Sequence, residues 1–269
     1  MNREAIELHY NREGEKLRLP ERILLACCRP IKAPPLSVTT YSYTLDNALD
    51  FSHRMVPDFP ERLRGKTVLD YGCGPGWQAI AMRKAGAAHV CALDINDDWL
   101  AHGRDLAQSA GVAEVNFTKE ADAEKYDTVI SLCSMEHFPN PEKEMQRMAS
   151  FTRGELIITF SECWYSPHGT HLNGTTLLPW LNLIFSERTL MNVRNLYPDG
   201  SDGARTFAEV CGGLNKMTVA RFERIIHAVP GFRVHYYRLR GVRGLPVVTK
   251  IPGLRELMTS ALTCILRPA

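Results

Sequence analysis

The segment from residue 67 to residue 85 constrains the fold of this chain more than any other. An apolar run, TVLDY at 67–71, leads directly into the glycine-rich sequence GCGPG at 72–76 and then into a stretch of helical period at 77–85. Strand, glycine loop and helix in this order make a ligand cradle, because glycines let the backbone approach a ligand and a helix start presents unpaired amides. The segment therefore predicts an α/β fold with a ligand at the end of its first buried strand.

Short β-branched runs and helical segments continue to alternate as far as residue 160, which is typical of β-α-β units on a parallel sheet. Asn96, Asn140 and Thr218 precede the later helical segments and are their predicted N-caps. The predicted strands cover 67–71, 89–93, 115–118, 126–133, 156–160, 232–239 and 262–266, and the predicted helices cover 77–85, 97–109, 141–151 and the segment after Thr218.

Two parts of the chain fall outside this alternation. Residues 1–60 are charged and proline-punctuated, and they suit a helical cap that leads into the sheet. Residues 161–215 are rich in Trp, Tyr, His, Asn and Gly without clear periodicity, and an insertion of this length in a compact fold is usually functional or mobile. We therefore predict a single domain over 1–269, made of an N-terminal cap (1–60), a cofactor-binding core (61–160), a substrate-lid insertion (161–215) and a C-terminal helix and strand pair (216–269).

Composition excludes several classes of protein. With 45% hydrophobic and 23% charged residues, the chain is neither disordered nor fibrous. Its formal net charge of +2 lacks the basic excess that nucleic-acid binders use, so we predict no nucleic-acid partner. The eight cysteines contain no C-x-x-C pair and predict reduced thiols, and the apolar run near the start is too short for a signal core or a membrane span. We therefore expect a cytoplasmic protein without a transmembrane segment.

The glycine loop can be tested against known nucleotide ligands. A nucleoside triphosphate loop needs Lys followed by Ser or Thr, and no such pair follows Gly76. A dinucleotide loop needs a glycine at the position that Trp77 occupies. The loop therefore favours an adenosine ligand without pyrophosphate, with Asp94 accepting from both ribose hydroxyls and Asp70 favouring a cationic end, which fits S-adenosylmethionine. The alternative is that Asp70 only orders the loop and Asp94 caps a turn.

These residues resemble the class I S-adenosylmethionine-dependent methyltransferases. The matching stretches are VLDYGCGPG at 68–76, LDI at 93–95, YDTVIS at 126–131 and SMEHF at 134–138. The resemblance implies S-adenosyl-L-methionine as cofactor and an α/β, Rossmann-like sheet of seven strands, mostly parallel with an antiparallel last strand. Helices would cover both faces, and the N-terminal helical cap and the insertion after the fifth strand would be additions to this core.

The resemblance also assigns positions in this sequence to the cofactor. The glycine loop would contact its amino-acid part, Asp94 its ribose and Ile95 the adenine face. The connection after the third strand is short, so Glu120, Ala121 and Asp122 stay alternative partners of the adenine amine. The predicted cofactor-binding residues are Asp70, Gly72, Cys73, Gly74, Asp94, Ile95, Glu120, Ala121, Cys133 and Ser134.

Three histidines are candidates for catalysis. Methyl transfer from a sulfonium is an in-line displacement, so the protein mainly aligns the acceptor, and a base of near-neutral pKa helps when the acceptor is an alcohol. His137 follows the fourth strand, where it either borders the substrate or shapes the cofactor site. His168 and His171 lie in the insertion and act on the substrate, hydrogen-bond within the loop, or bind a metal with Glu162 or His137. Because Gly169 indicates a loop, helical spacing cannot bring both imidazoles together, and no metal is predicted.

The insertion also carries polar and aromatic side chains suited to closing over a small polar ligand, because aromatic rings exclude water and polar groups give direction. The predicted substrate-binding residues are Glu162, Trp164, Tyr165 and Trp180. After residue 232 the chain is locally basic. That charge indicates either a solvated face or attraction of an anionic substrate or of a lipid-linked carrier at a membrane surface.

The sequence thus predicts a methyltransferase that acts on a small-molecule acceptor, with oxygen as the favoured acceptor atom. In the resembling enzymes an N-P-P-Y signature accompanies methylation of planar nitrogens, and here SMEH at 134–137 stands in its place. One alternative is transfer to carbon or nitrogen of a natural product or of a lipid- or sugar-linked intermediate. Another is a non-catalytic cofactor-binding regulatory subunit. A homodimer is also compatible with the sequence.

Overall fold

A computed structural model describes residues 14–30, 44–122 and 125–269 of the chain. The strands in these ranges are β1 (Thr67–Tyr71), β2 (His89–Leu93), β3 (Val115–Thr118), β4 (Tyr126–Leu132), β5 (Thr152–Ser161), β6 (Phe232–Gly241) and β7 (Thr259–Pro268). They form one sheet in the order β3-β2-β1-β4-β5-β7-β6, in which β7 runs antiparallel to both of its neighbours. The predicted mostly parallel sheet with an antiparallel last strand is confirmed.

The helices of the described ranges are α1 (Leu19–Ala26), α2 (Asp50–Met55), α3 (Phe59–Leu63), α4 (Trp77–Lys84), α5 (Asp97–Ser109), α6 (Pro141–Phe151), α7 (Leu181–Ile184), α8 (Glu187–Arg194), α9 (Val219–His227) and α10 (Leu254–Met258). The predicted N-caps are confirmed. Asn96, Asn140 and Thr218 each accept, through a side-chain oxygen, a hydrogen bond from the backbone N–H three residues further on.

Each face of the sheet has its own hydrophobic core. Val68 and Leu69 of β1 belong to different cores, as neighbouring residues of a strand should. The helices α2 to α5 fill the core around Val68, for example with Ile80, and α6 and α9 fill the core around Leu69 with Met145 and Phe222. The sheet is therefore covered on both faces, which explains why its central strands are almost continuously apolar.

The strand β5 begins four residues earlier than the sequence predicts. Its first part, TRGE at 152–155, is polar and gives no hydrophobic signal. In the structure Glu155 accepts hydrogen bonds from Arg62 and from Arg267, whose Nε lies 2.7 Å from Glu155 Oε1. Charge pairing with distant parts of the chain therefore holds the polar end of the strand in place. The strands β6 and β7 also extend beyond their predicted bounds.

The insertion between β5 and α9 has a hydrophobic core of its own. Leu190 and Phe207 are buried there, and α1 contributes Leu24 from the other end of the chain. Arg194 forms two hydrogen bonds with the Asp202 carboxylate (2.6 and 2.8 Å) within the same segment. A paired guanidinium and carboxylate of this geometry orders the surrounding loop. The insertion is thus a packed unit, with α1 as part of it.

The described part of the predicted N-terminal cap divides into two pieces with different contacts. The helix α1 packs on the insertion, where Asn192 Nδ2 donates to Glu21 Oε1 (2.6 Å), whereas α2 and α3 pack on the sheet. Residues 1–13 and 31–43 of the predicted cap lie outside the described residues. Nowhere in the described ranges is a helix long and apolar enough to cross a membrane.

The helix α5 approaches β3 closely at Gly103, which lies against the Phe117 ring. A substitution of Gly103 therefore tests the packing of α5 on β3. Glycine to alanine in a helix ordinarily stabilises it by about 1 kcal/mol. Here a Cβ on Gly103 would lie 2.8 Å from Phe117 Cδ1, and overpacking of this kind costs about 1–3 kcal/mol. We therefore expect Gly103→Ala to lower the urea midpoint of unfolding. Adding Phe117→Leu should restore part of the loss, and an unchanged or raised midpoint for Gly103→Ala alone would contradict this packing.

Candidate functional site

The glycine loop at 72–76 folds back over the end of β2. The backbone N–H groups of Gly72 and Cys73 donate to the Leu93 carbonyl (2.8 and 2.9 Å). Gly72 has a φ of +79°, and a Cβ built on it would lie 2.8 Å from the Ser134 Cβ. Both the left-handed conformation and the close approach to Ser134 require glycine. The close approach seen here is to Ser134, and the predicted approach of the loop to a ligand stays a prediction.

Asp94, directly after β2, braces the loop. Its Oδ2 accepts a hydrogen bond from the Gly74 N–H (2.8 Å), and its Oδ1 accepts one from the Asn96 N–H (3.0 Å). Asp94 therefore does cap a turn, as the alternative interpretation of the sequence predicts. Because each carboxylate oxygen has a second lone pair, the same side chain can still accept from two hydroxyl groups.

Asp70, the last but one residue of β1, carries an unsatisfied buried carboxylate. The residue is only 1% exposed, and its Oδ2 has no hydrogen-bond partner among the described residues. Burial, together with the nearby Asp94 charge, raises the pKa of Asp70 to about 7. A buried carboxylate without a partner is costly unless a cation or a hydrogen-bond donor meets it. This position therefore fits the cationic end of a ligand.

The residues after β4 are held against the loop. Ser134 Oγ lies 2.9 Å from the Gly72 carbonyl and 3.1 Å from the Leu132 carbonyl, so it links the end of β4 to the loop. The strand β4 ends at Leu132, one residue before its predicted end at Cys133, whose φ of +52° is left-handed. Burial raises the pKa of the Cys133 thiol to about 12, which keeps it protonated at neutral pH.

Two of the predicted histidines and a glutamate meet beside these residues. The backbone N–H of His137 donates to the Ser134 carbonyl (2.9 Å). The ring Nδ1 of His137 lies 2.6 Å from the Gly213 carbonyl. The rings of His137 and His171 contact each other edge to face, with centroids 5.5 Å apart. His171 Nε2 lies 3.3 Å from Glu162 Oε2. We call His137, His171 and Glu162 the histidine cluster.

Burial sets the protonation of this cluster. It lowers the pKa of His137, and, together with the proximity of His137, it lowers the pKa of His171 to about 4. Burial raises the pKa of Glu162. At neutral pH both imidazoles are therefore uncharged, and an uncharged imidazole nitrogen with a lone pair is able to accept a proton.

Comparison with known proteins assigns the family. A family model described as a methyltransferase domain matches residues 43–192, which is more than half of the chain. The chain belongs to the S-adenosylmethionine-dependent methyltransferases. The crystal structure of an S-adenosylmethionine-dependent methyltransferase from Mesorhizobium loti has the same fold, with a TM-score of 0.53 at 17% identity, over 83% of this chain and 100% of that chain. Magnesium protoporphyrin IX methyltransferase from Synechocystis PCC 6803, solved with bound SAH, gives a TM-score of 0.50 at 18% identity, over 84% of this chain and 81% of that chain.

Curated relatives match shorter stretches of this methyltransferase. The ubiquinone biosynthesis O-methyltransferase of Neisseria meningitidis serogroup C is 33% identical over 106 residues, which are 37% of this chain and 44% of that protein. The ribosomal protein L11 methyltransferase of Sodalis glossinidius is 55% identical over 53 residues, which are 20% of this chain and 18% of that protein. In both cases the match covers less than half of the relative's length.

S-adenosylmethionine fits the residues that surround the loop of this methyltransferase. The unpartnered Asp70 carboxylate suits its cationic amino-acid end. Ile95, next to Asp94, is 83% exposed and offers an apolar face at the carboxyl end of β2. These observations agree with the predicted cofactor.

The structure also describes the predicted site residues Glu120, Ala121 and His168. Glu120 is exposed after β3, where its N–H donates to Thr118 Oγ1 (3.1 Å), and Ala121 beside it is half-buried. His168 contributes its carbonyl, which accepts the His171 N–H (2.9 Å). In the described part of the methyltransferase, no three or more His, Cys, Asp or Glu side chains form a group that could hold a metal ion.

The structure places the predicted aromatic substrate residues outside the histidine cluster. Trp164 packs edge to face on Phe207, with ring centroids 5.0 Å apart, against the core of the insertion. Trp180 donates through its Nε1 to the Leu257 carbonyl (3.1 Å), and Tyr165 is exposed. Trp164 and Trp180 therefore hold parts of the fold together, since their contacts are with the insertion core and with α10.

Glu136, which lies between Ser134 and His137, is not among the site residues predicted from the sequence. Its side chain is 2% exposed, and its Oε2 has no hydrogen-bond partner in the described ranges. Burial raises the pKa of Glu136 to about 8, so it is mostly protonated at neutral pH. Only its position within the SMEHF match at 134–138 could have drawn attention to it, because an acidic residue in a loop is ordinarily solvated.

Proposed function

We propose that this chain transfers a methyl group from S-adenosylmethionine to an oxygen atom of a small molecule bound at the histidine cluster. The observation that carries the proposal is a continuous set of contacts from loop to cluster. Ser134 contacts the Gly72 carbonyl, the His137 N–H donates to the Ser134 carbonyl, and His137 contacts His171. A substrate beside His137 would therefore lie next to the cofactor loop.

In this proposal His137 is the general base. A carbonyl only accepts hydrogen bonds, so the 2.6 Å contact with the Gly213 carbonyl places the proton of the neutral ring on Nδ1. The lone pair is then on Nε2, the nitrogen that can take the proton lost by the acceptor oxygen. His171 and Glu162 would orient the acceptor from the other side of the cluster.

When bound, S-adenosylmethionine supplies an electrophilic methyl group on a sulfonium sulfur. Asp70 would hold the ammonium end through its unpartnered Oδ2, and Asp94 would accept from the ribose hydroxyls while keeping its bonds to Gly74 and Asn96. Ile95 would cover the adenine, with Glu120 or Ala121 at its edge. The chain's main contribution is alignment, because an in-line displacement depends on holding the acceptor and the methyl group together.

The buried state of Asp70 predicts how cofactor binding depends on pH. Only the ionised carboxylate attracts a cation, and the pKa of about 7 means that a falling pH protonates Asp70 in the free protein. We expect the affinity for S-adenosylhomocysteine to fall as pH is lowered from about 7 to about 5.5, by up to tenfold for each pH unit. Isothermal titration calorimetry across this range measures the effect.

Two variants separate Asp70 from other titrating groups. Asp70→Asn should bind the ligand weakly and with little pH dependence in this range. Asp98→Asn, a change at an exposed acid in the first turn of α5, should retain the wild-type profile. A pH profile that persists in Asp70→Asn would show that another group is responsible.

A panel of acceptors tests the proposed reaction. Purified protein would be incubated with S-adenosylmethionine and phenols, catechols, carboxylic acids, aliphatic amines and a purified ribosomal protein L11. Formation of S-adenosylhomocysteine only with hydroxyl or carboxyl acceptors, and a methyl ether or ester as product, would support the proposal. Methylation of nitrogen, carbon or the protein substrate would contradict it, and cofactor binding without turnover would favour the regulatory-subunit alternative.

A further inference from the structure

An exposed apolar surface lies beside the candidate site. Of the eleven large hydrophobic side chains that are exposed in the described residues, seven come from two short segments, 177–184 in the insertion and 245–254 between β6 and β7. Ile184 is 67% exposed and Val247 is 59% exposed. We call these seven side chains the apolar rim: Leu177, Leu183, Ile184, Leu245, Val247, Ile251 and Leu254. Such clustering is uncommon on a protein surface that meets only water.

The two segments of the rim are joined to each other and to the candidate site. Trp180 lies within the first segment and donates through Nε1 to the Leu257 carbonyl (3.1 Å). Leu257 lies one turn of α10 after the end of the second segment. The strand β7 that follows α10 begins next to the histidine cluster, since the Glu162 N–H donates to the Ser260 carbonyl (2.8 Å). The apolar rim therefore borders the carboxyl edge of the sheet, where the loop and the cluster lie.

Positive charge accompanies the rim. Residues 242–254 contain Arg243 and Lys250, both exposed, and no acidic residue, and residues 176–186 contain no charged residue. Arg255, which follows, is paired with Glu223 of α9. Apolar side chains flanked by lysine and arginine, without acids among them, suit the headgroup and acyl boundary of an anionic bilayer.

We propose that the apolar rim docks on the surface of an anionic lipid bilayer. The seven apolar side chains enter the acyl boundary, and Arg243 and Lys250 contact the lipid phosphates. Docking does not require the proposed methyl transfer. Entry of a lipophilic acceptor from the membrane does rest on the proposed function. With that function, docking would place the histidine cluster where such an acceptor can enter from the bilayer.

Vesicle sedimentation tests the docking without cofactor or acceptor, so its failure would leave the proposed function untouched. The full chain should partition onto phosphatidylcholine vesicles that contain phosphatidylglycerol, and much less onto phosphatidylcholine alone. The triple variant Leu245→Ser, Val247→Ser, Ile251→Ser should lower the partition coefficient by about tenfold or more. The matched variant Leu245→Ile, Val247→Ile, Ile251→Leu keeps the apolar surface and should partition like the wild type.

A charge reversal tests the electrostatic part. Lys250→Glu should weaken binding to the anionic vesicles by about fivefold or more and leave binding to neutral vesicles unchanged. The control Lys84→Glu reverses an exposed lysine at the end of α4, on the opposite edge of the sheet, and should have little effect. Circular dichroism of each variant checks that it is folded.

Three outcomes would overturn the docking proposal. The first is no partitioning of the wild type onto anionic vesicles. The second is equal partitioning of the wild type and the serine variant. The third is a concentration-dependent dimer in analytical ultracentrifugation that disappears in the serine variant while vesicle binding is absent, which would assign the rim to a second copy of the chain.

Discussion

Replacing His137 with alanine is expected to lower kcat for methyl transfer by about 10²–10⁴-fold, the range that a positioned general base contributes. The reason is that Nε2 of a neutral His137 is the nitrogen able to take the acceptor proton, because the Gly213 carbonyl fixes the other proton on Nδ1. Cofactor affinity should stay close to that of the wild type, since the hydrogen bonds of His137 connect it to the loop indirectly, through Ser134. Single-turnover kinetics together with calorimetry separate the two effects.

Two further variants make the His137 experiment specific. His137→Asn can still donate an amide hydrogen to the Gly213 carbonyl but has no basic nitrogen, so it should be nearly as slow as the alanine variant. His227→Ala removes a histidine whose Nδ1 also lies 2.7 Å from a backbone carbonyl, that of Glu223, but which is exposed on α9. It should leave kcat unchanged. A His137→Asn enzyme with wild-type kcat would remove the base from the mechanism.

The pH profile adds an independent check on His137. Burial lowers its pKa, so the base should be lost only when pH falls below the range of an ordinary histidine. With saturating cofactor, so that protonation of Asp70 in the free protein does not affect the result, we expect kcat/KM for the acceptor to be constant through neutral pH and to decline on the acid side, at a pH below about 6.5. A decline that begins above neutral pH would point to a different ionising group.

Asp94→Ala should produce the largest loss of cofactor affinity. Hydrogen bonds between ribose hydroxyls and a charged acceptor contribute roughly 1.5–3 kcal/mol, which corresponds to about 10- to 150-fold in Kd. The same variant also removes the acceptors of the Gly74 and Asn96 N–H groups, so the loop itself should lose order. Calorimetry with S-adenosylhomocysteine measures the affinity, and thermal unfolding measures the accompanying loss of stability.

The control for Asp94 lies three residues away. Asp97→Ala changes an exposed acid of the first turn of α5 that forms a surface ion pair with Lys119 (2.9 Å). Such pairs contribute little, so both affinity and stability should change only slightly. If Asp94→Ala binds the ligand as tightly as Asp97→Ala, Asp94 serves the turn alone and the ribose contact is wrong.

The strands and helices around the glycine loop could be predicted because their sequence signals are local. The strand β1, the loop at 72–76 and α4 are contiguous, and the caps Asn96 and Asn140 are each followed at once by the helix they begin. Hydrophobic periodicity and helix capping depend on residues that are neighbours in sequence, so both can be recognised in a single sequence. The start of β5 could not be predicted, because its polar residues are stabilised by Arg62 and Arg267, which are distant in sequence.

The surroundings of the proposed acceptor site could be predicted only in part, because the same residue types serve both packing and binding. His137, His171 and Glu162 do meet, although they are far apart in sequence. Trp164 packs on Phe207 in the insertion core, a contact that the sequence does not reveal, and its substrate role stays a prediction. Glu136 was overlooked because burial, which makes it unusual, is a property of the folded chain.

A crystal structure of the complex with S-adenosylhomocysteine tests the central claim most directly. We expect the ligand's amino group to lie within hydrogen-bond distance of Asp70 Oδ2, its ribose hydroxyls to contact Asp94, and its sulfur atom to face His137. A ligand whose sulfur faces away from the histidine cluster, or that leaves Asp70 without a partner, would contradict the account.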